Sequence, residues 1–337
     1  MKPTGKIIVL AHPDTFVKVT EEWICKFLPL VGLGTREYIK AGHAALVLIE
    51  NETGNAFYYD FGRYVTPVGY GRVRGANTDA ELEIPFKATF TDNNSLKNFK
   101  EFLLWLDANP EITHGEGRLL ASVCDLVDYD KAKKHILNLQ YRGSVLYGAF
   151  SKTESNCSRF VTDTLLAATK EKGIRKALKF NKLFTPSTVG NVEKAATKAV
   201  VFQVQEGVIS EFNSSAFKEN LKNYFHKNRP EKKEKDLPKL PINAQKLEGA
   251  GSSAWFELLS EKLPLNHFRI KRYNELHVMD FDGIYEASEV FDEKLPFRFT
   301  YDSHCEVCHI LQSDKKIKFL KVASFASFNS SQKVGSV

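Results

Sequence analysis

The sequence predicts an α+β protein of two domains, and three observations support this. Residues 1–228 alternate strand-like and helix-like patterns, whereas residues 246–337 carry mainly short alternating apolar runs of the kind that form β-strands. Between them, residues 229–245 form a charged, proline-rich stretch that cannot bury enough apolar area to fold alone. We therefore expect a larger α+β domain, a linker and a small β-rich domain whose role the sequence leaves open.

The first domain is predicted to contain an antiparallel sheet and several helices. Apolar runs bounded by turn residues indicate strands over 6–10, 44–50, 56–61, 85–90, 144–150 and, as one or two strands, 199–212. Apolar residues at helical spacing indicate helices over 21–30, 96–108, 129–138 and 158–172. Thr20 is a possible N-cap of the first helix, and Gly173 ends the last one.

The second domain is predicted to be mainly β. Strand patterns cover 268–273, 276–281, 297–301 and 316–323. A further strand is expected to carry Cys305 and Cys308, and Ser313, Asp314 and Lys315 form the predicted hairpin turn that closes it.

The composition narrows the function classes. The net charge of +6 is mild, and no basic stripe is interleaved with aromatic residues, so we expect no nucleic-acid partner. No apolar run approaches the ~20 residues of a membrane-spanning helix. The run over 7–11 is too short for a signal-peptide core. Five cysteines without regular spacing fit a reducing compartment, so the sequence predicts a cytoplasmic protein and leaves its oligomeric state open.

The segment around Cys157 is the most informative in the chain. A strand runs into a polar loop, and the loop delivers Cys157 to the first turn of an amphipathic helix. The positive end of a helix dipole and the free backbone N–H groups there favour the thiolate, which is the nucleophilic form of cysteine. The alternative is a buried cysteine that packs as a small hydrophobic residue.

A hairpin between residues 43 and 62 supplies the partners for such a nucleophile. His43 opens a strongly apolar strand, and a four-residue turn follows Glu50. If Glu50 pairs with Asn55, position 43 faces position 62, and Asp60 lies on the diagonal from His43. A cysteine, a histidine base and an orienting carboxylate form the logic of a catalytic triad. On its own, however, His43 could merely begin a strand.

These motifs resemble a known family. GHAALVLIE followed by a hairpin with YYDFG, and later YGAF and NCSRFV, look like the circularly permuted NlpC-like branch of the papain-like superfamily. The resemblance covers about residues 5 to 170 and implies a permuted papain-like fold with an antiparallel sheet and a cysteine-bearing helix. It also implies that Cys157 is the nucleophile, His43 the general base and Asp60 the orienting residue, although relatives often have histidine at the third position.

Candidate substrate-binding residues flank this constellation. Asn156 directly precedes Cys157, and Arg72 and Arg74 lie in the glycine-rich, basic segment 69–75. No helix is predicted after this segment, so it is not a phosphate-binding fingerprint. It is expected to be a loop beside the hairpin that could hold an anionic part of a substrate.

Two other motifs suggest metal or haem chemistry. His12, Pro13 and Asp14 look like the start of a zinc-dependent N-deacetylase, but the second aspartate and the spaced histidine pair of that family are missing. The segment His304-Cys305-Glu306-Val307-Cys308-His309 contains the form of a haem attachment site. A strand there would send neighbouring side chains to opposite faces, so we expect no cofactor.

Two functions of different classes remain open. The first is a cysteine-nucleophile hydrolase or acyltransferase acting on an amide, ester or thioester of a small-molecule, lipid or peptide substrate. The second is a non-catalytic binding module on the same scaffold, because fold alone cannot decide between them.

Overall fold

The computed structural model describes residues 3–20, 22–230 and 236–334 as two compact units. The first unit comprises the described residues up to Gly62, together with Gly71–Ala76 and Leu82–Pro230. The second comprises Arg63–Tyr70, Asn77–Glu81 and the described residues from Asp236 onward. The predicted linker over 229–245 includes residues 231–235, which lie outside the described residues.

The first unit is built on an eight-stranded sheet with the order β10-β9-β7-β1-β4-β5-β6-β8, antiparallel from β10 to β6. The eight strands of this sheet are β1 (Gly5–His12), β4 (His43–Glu50), β5 (Ala56–Gly62), β6 (Tyr70–Arg74), β7 (Leu119–Val127), β8 (Val145–Leu146), β9 (Phe202–Gln205) and β10 (Val208–Glu211). A separate two-stranded sheet consists of β2 (Val17–Lys18) and β3 (Tyr38–Ile39). The helices of the first unit are α1 (Phe99–Ala108), α2 (Pro110–Thr113), α3 (Tyr129–Gln140), α4 (Cys157–Ala168), α5 (Lys172–Asn181), α6 (Thr188–Ala195) and α7 (Ala216–Tyr224). Two 3₁₀ helices span Trp23–Val31 and Ala80–Leu82.

Strands β1 and β4 form the centre of this sheet and are apolar on both faces. One face packs against α3, α4, α5 and α6 through residues such as Val9, Leu46 and Phe160. The other face packs against α1 through residues such as Val47 and Phe102. Burial on both faces explains why these strands are near-continuous apolar runs instead of alternating ones.

Several elements differ from the sequence predictions. The strand predicted over 85–90 is absent, and only a single bridge joins Phe90 to Leu96. The strand predicted over 144–150 is reduced to β8. The segment predicted as a loop over 69–75 instead contains β6, which pairs with β5. The sequence pattern does not predict strand β7, because Ser122 and Asp125 interrupt its apolar run.

The helix predicted over 158–172 is two helices. Helix α4 ends at Ala168, and α5 begins at Lys172 because the Glu171 side chain accepts a hydrogen bond from the Ile174 backbone N–H. Gly173 therefore lies in the first turn of α5 and does not end a helix. Near the N-terminus, Thr20 is not an N-cap; its hydroxyl donates to Glu22 instead.

The second unit is a seven-stranded antiparallel sheet with the order β11-β12-β13-β14-β17-β16-β15. Its elements are β11 (Gln245–Leu247), β12 (Ala254–Leu259), β13 (His267–Tyr273), β14 (Met279–Ala287), β15 (Arg298–Thr300), β16 (Val307–Gln312), β17 (Lys315–Ser324) and α8 (Phe325–Val334). The Gln245 side chain donates to the Phe297 carbonyl and accepts from the Phe299 N–H. These bonds link the two edge strands, so the sheet is nearly closed.

The predicted hairpin turn of the second unit is present, but the strand before it is shorter. Gln312 pairs with Lys315, and Ser313 and Asp314 both have positive φ, as a tight two-residue hairpin turn requires. Strand β16 begins at Val307, so Cys305 lies before the strand and not on it.

Candidate functional site

Cys157 is the first residue of α4, and Asn156 caps this helix. The Asn156 Oδ1 accepts a hydrogen bond from the Arg159 N–H at 2.9 Å, and Nδ2 donates to the Gly148 carbonyl at 2.9 Å. Both ends of this amide are engaged by the backbone. The structure thus places Asn156, a candidate substrate-binding residue, as the side chain that holds the start of α4 against the preceding loop.

The hairpin register is the one that the turn predicted. The Glu50 N–H donates to the Asn55 carbonyl, and Asp60 pairs directly with Ala45, two residues from His43. Paired residues, and residues two apart on a strand, share a face of the sheet. As a result, the Nε2 atom of His43 lies 3.4 Å from the Oδ2 atom of Asp60.

His43 is buried and in contact with both other candidate residues. Burial lowers its pKa, but hydrogen bonds to Asp60 and to Cys157 outweigh that effect and raise the pKa to about 9. The structure therefore brings the sulfur of Cys157, the imidazole of His43 and the carboxylate of Asp60 together. At neutral pH this arrangement favours a positively charged imidazole beside the sulfur.

Asp60 is fully buried and tightly held. Arg74 donates from Nε to Oδ1 at 3.0 Å and from Nη2 to Oδ2 at 2.5 Å, and the Tyr58 hydroxyl donates to Oδ2 at 3.2 Å. Burial alone would raise the pKa of Asp60, but Arg74 and His43 bring it well below its ordinary value. This carboxylate stays ionised at neutral pH, and it is fixed against rotation by a two-pronged guanidinium contact.

Arg74 and Arg72, the other candidate substrate-binding residues, lie on β6 beside this carboxylate. Arg74 is buried, and besides Asp60 its guanidinium also donates to the Ile112 carbonyl. Arg72 pairs with Gly62 and is buried as well. The sequence does not reveal the bond between Arg74 and Asp60, because this bond depends on the pairing of β5 with β6, and the sequence predicts a loop where β6 lies.

His12 lies directly beside the site, a position that the sequence does not indicate. It pairs with His43 at the end of the β1–β4 ladder, and among the described residues neither of its ring nitrogens has a hydrogen-bond partner. Burial and the neighbouring His43 lower its pKa to about 3. A Cβ atom on Gly115 would lie 2.2 Å from Nδ1 of His12, so only glycine fits against this ring.

The residues that suggested metal chemistry are placed differently. Asp14 accepts from Arg118 Nε at 2.8 Å and from Lys40 Nζ at 2.8 Å, so its carboxylate is committed to two cations. In the second unit, Arg272 donates to the Cys305 sulfur at 3.3 Å. Over residues 3–20, 22–230 and 236–334 no group of three or more histidine, cysteine or acidic side chains is placed to hold a metal ion. The expectation of no cofactor at Cys305 and Cys308 stays a prediction.

A mostly apolar cavity of about 280 Å³ lies against Cys157 within the first unit. Its walls include Cys25, Leu28 and Leu33 near the N-terminus, and Tyr147 and Phe150 from the loop before α4. That loop is held by Glu22, whose carboxylate accepts hydrogen bonds from the backbone N–H groups of residues 149–151. Cys157 therefore borders a cavity, and the loop that forms one of its walls is held in place by hydrogen bonds to Glu22.

Comparisons with known proteins match two separate stretches of the chain. Residues 7–174 match the family model described as type VI secretion system effector TseH-like. Residues 244–322 match the model described as the DUF6695 C-terminal domain. Comparison with curated protein sequences finds no match.

Among solved structures, the chain is similar to the crystal structure of the type VI secretion system effector TseH. The sequence identity is 18%, the match covers 63% of this chain and 99% of the other, and the TM-score is 0.42. None of the helices in the described ranges has the length and apolarity needed to cross a membrane. The predicted cytoplasmic location is not confirmed, because the matching family model describes effectors of a secretion system.

Proposed function

We propose that the first unit is a cysteine hydrolase or acyltransferase of the permuted papain-like type, and that the protein acts as a type VI secretion effector. The observation that carries this proposal is the buried His43, which contacts Asp60 on one side and Cys157 on the other. The match of residues 7–174 to the TseH-like family supports the effector role. The substrates would be amides, esters or thioesters.

In the proposed reaction, the sulfur of Cys157 attacks the substrate carbonyl carbon and forms an acyl-enzyme. His43 donates a proton to the departing amine, alcohol or thiol, and then accepts one from the incoming water or acceptor alcohol. Asp60 orients the imidazole and stabilises its positive charge. Backbone N–H groups in the first turn of α4 are the candidate donors to the oxyanion.

Arg74 has a positioning role in this scheme. It is buried against Asp60, so we assign it to the orientation of that carboxylate instead of to the binding of a substrate anion. Asn156 likewise positions Cys157 by capping α4. Arg72 remains a proposed substrate-binding residue.

Trapping of the acyl-enzyme tests the proposal. The purified chain is mixed with activated amides, esters and thioesters, and its intact mass is measured within one turnover. We expect the mass of one acyl group on Cys157, no adduct in Cys157→Ala, and slow or no acylation in His43→Ala. Cys124→Ala is the matched control, since Cys124 is buried in the same core away from the cavity. Acylation that persists in Cys157→Ala would refute the cysteine mechanism, and no acylation by any substrate class would favour a binding module.

A further inference from the structure

The short 3₁₀ helix Trp23–Val31 borders the cavity and also exposes large apolar side chains to solvent. Cys25 and Leu28 line the cavity beside Cys157. Along the same helix, four large apolar side chains are mostly exposed: Trp23 (71%), Phe27 (54%), Leu30 (78%) and Val31 (64%). Monomeric proteins rarely expose contiguous apolar residues to water, so a group of them on a short segment indicates an interaction surface.

A second exposed apolar group borders the same cavity. Phe180, Leu183 and Phe184 are exposed, and they immediately precede Thr185 and Pro186, which line the cavity. The cavity that holds the sulfur of Cys157 is therefore flanked by exposed aromatic and aliphatic side chains from two separate chain segments.

Helix α5, which leads into the second exposed apolar group, is strongly basic. Helix α5 and the residue after it carry Lys172, Arg175, Lys176, Lys179 and Lys182, and their side chains cluster on one side of the helix or near its end. Of these cations, Lys182 is paired with Asp163, while Lys172, Lys176 and Lys179 are exposed. The apolar residues Ile174 and Leu178 of α5 pack into the core, so the helix presents its lysines to solvent. A cluster of exposed lysines beside exposed aromatic residues favours an anionic membrane surface.

We propose that this face docks on an anionic lipid surface and that the cavity accepts the acyl chain of an ester lipid, which is transferred to Cys157. The inference rests on the proposed function of Cys157. The charge of α5 determines the occupant: a cluster of cations beside exposed apolar side chains is complementary to anionic headgroups above acyl chains, whereas a second copy of this chain would bring the same cations together. The apolar wall of the cavity is complementary to an acyl chain and offers little to a polar peptide.

Hydrolysis of the ester through Cys157 requires no reagent other than water. The sulfur of Cys157 bonds to the acyl carbon, the ester C–O bond breaks, and the departing alcohol takes a proton from His43. Water then gives a proton to His43 and its oxygen adds to the thioester carbon. The C–S bond breaks and the fatty acid leaves, which restores the thiolate of Cys157 and the protonated imidazole of His43.

Vesicle binding tests the surface. The full chain is co-sedimented with vesicles of phosphatidylcholine alone or of phosphatidylcholine with phosphatidylglycerol at equal molar amounts. We expect at least about 10-fold tighter binding to the anionic vesicles, weakened by added salt. The variant K172E/K176E/K179E should lose this preference. The control K262E/K294E/K315E changes the same charge at exposed lysines of the second unit and should stay within about twofold of the parent chain.

Chain-length selectivity tests the cavity and separates the two proposals. Water-soluble 4-nitrophenyl acetate and octanoate are compared, and we expect kcat/KM at least about 10-fold higher for octanoate. Val19→Trp, which places a large ring in the cavity wall, should lower the octanoate-to-acetate ratio. Turnover that depends on Cys157, with no chain-length preference and no anionic-vesicle binding, would overturn this inference and leave the proposed function intact. Turnover that survives Cys157→Ala would overturn the proposed function itself.

Discussion

Each unit of the protein buries an arginine, carboxylates and a cysteine, and the two clusters differ in what stands beside the cysteine. In the first unit, Arg74 is matched by Asp60, and Asp60 contacts His43, which contacts Cys157. The cluster therefore ends on Cys157, which has the imidazole of His43 beside it and borders the cavity.

In the second unit the charges are arranged around Arg272. Its guanidinium lies 2.9 Å from Asp79, 3.5 Å from Glu81 and 3.7 Å from Asp280, and it donates to the sulfur of Cys305. Burial raises the pKa of Cys305 to about 12, and the pKa of Cys308 is raised further. The comparison teaches that a neighbouring cation is not enough to make a buried thiol reactive, because at Cys305 burial outweighs the adjacent Arg272 guanidinium and keeps the thiol protonated.

The largest difference is expected in turnover. Cys157→Ala should lower kcat/KM for acyl esters by at least about 10⁴-fold, since it removes the nucleophile. Cys305→Ala should change kcat/KM by less than about twofold at a temperature where the variant is folded, because Cys305 takes no part in the reaction. Initial rates with 4-nitrophenyl octanoate measure both. Comparable losses in the two variants would mean that the clusters do not differ in function.

Much of the first cluster could be predicted from the sequence because its determinants are local. The four-residue turn after Glu50 fixes the register that sets Asp60 near His43, and the N-cap Asn156 fixes the helix start at Cys157. The rest depends on contacts between residues that are far apart in the chain. Arg74 contacts Asp60 because β5 pairs with β6, and His12 lies beside His43 because β1 pairs with β4.

The second cluster could not be predicted from the sequence, because its residues are even farther apart in the chain. Asp79 and Glu81 lie almost 200 residues before Arg272 in the sequence, yet the second unit includes the segment Asn77–Glu81. A strand pattern around Cys305 suggested that period-two alternation would separate its neighbours, but β16 begins only at Val307. Turns can be predicted because their residue preferences are local. The packing of a short segment against a distant sheet cannot be predicted, because it has no local sequence pattern.

The next difference is in the rate of alkylation. At pH 7.5, iodoacetamide should label Cys157 at least about 100-fold faster than Cys305 or Cys308, because only the thiolate reacts and burial keeps the latter two protonated. Peptide mass spectrometry over time gives the three rates separately. His43→Ala should slow labelling of Cys157 and leave Cys305 unchanged; equal slow labelling at all three cysteines in the parent chain would contradict the contrast.

A smaller effect is expected for the orienting carboxylate. Asp60→Asn should lower kcat/KM by on the order of 10²-fold and shift the alkaline limb of the pH–rate profile to lower pH, because the pKa of His43 is held up by Asp60. Asp280→Asn is the matched change in the second unit and should leave the profile in place. A profile that is identical in Asp60→Asn and the parent chain would remove Asp60 from the mechanism.

The remaining effects are expected in stability, where the two units should respond to pH in opposite directions below neutrality. In the first unit, the pKa of His12 is lowered to about 3, so its neutral form stabilises the fold above pH 6.5 and this contribution is lost as the pH falls. In the second unit, burial raises the pKa of Asp280 to about 7, so the protonated carboxyl contributes stability below pH 3.8 that is lost as the pH rises toward 7. Between pH 4 and 6.5 the first unit should gain stability while the second loses it.

Above pH 6.5 the first unit should lose stability in its turn, and His43 is the cause. Its folded pKa of about 9 lies above the ordinary 6.5, so the charged imidazole contributes stability that is complete below pH 6.5 and lost as the pH rises through 9, in total about 3 kcal/mol. Hydrogen exchange of β4 and β13 amides, corrected for intrinsic exchange at each pH, follows the two units separately. Asp60→Asn should flatten the alkaline loss in β4 without altering β13, because it lowers the folded pKa of His43 toward its ordinary value. An alkaline loss of the same size in Asp60→Asn would show that the pKa of His43 is not set by this carboxylate.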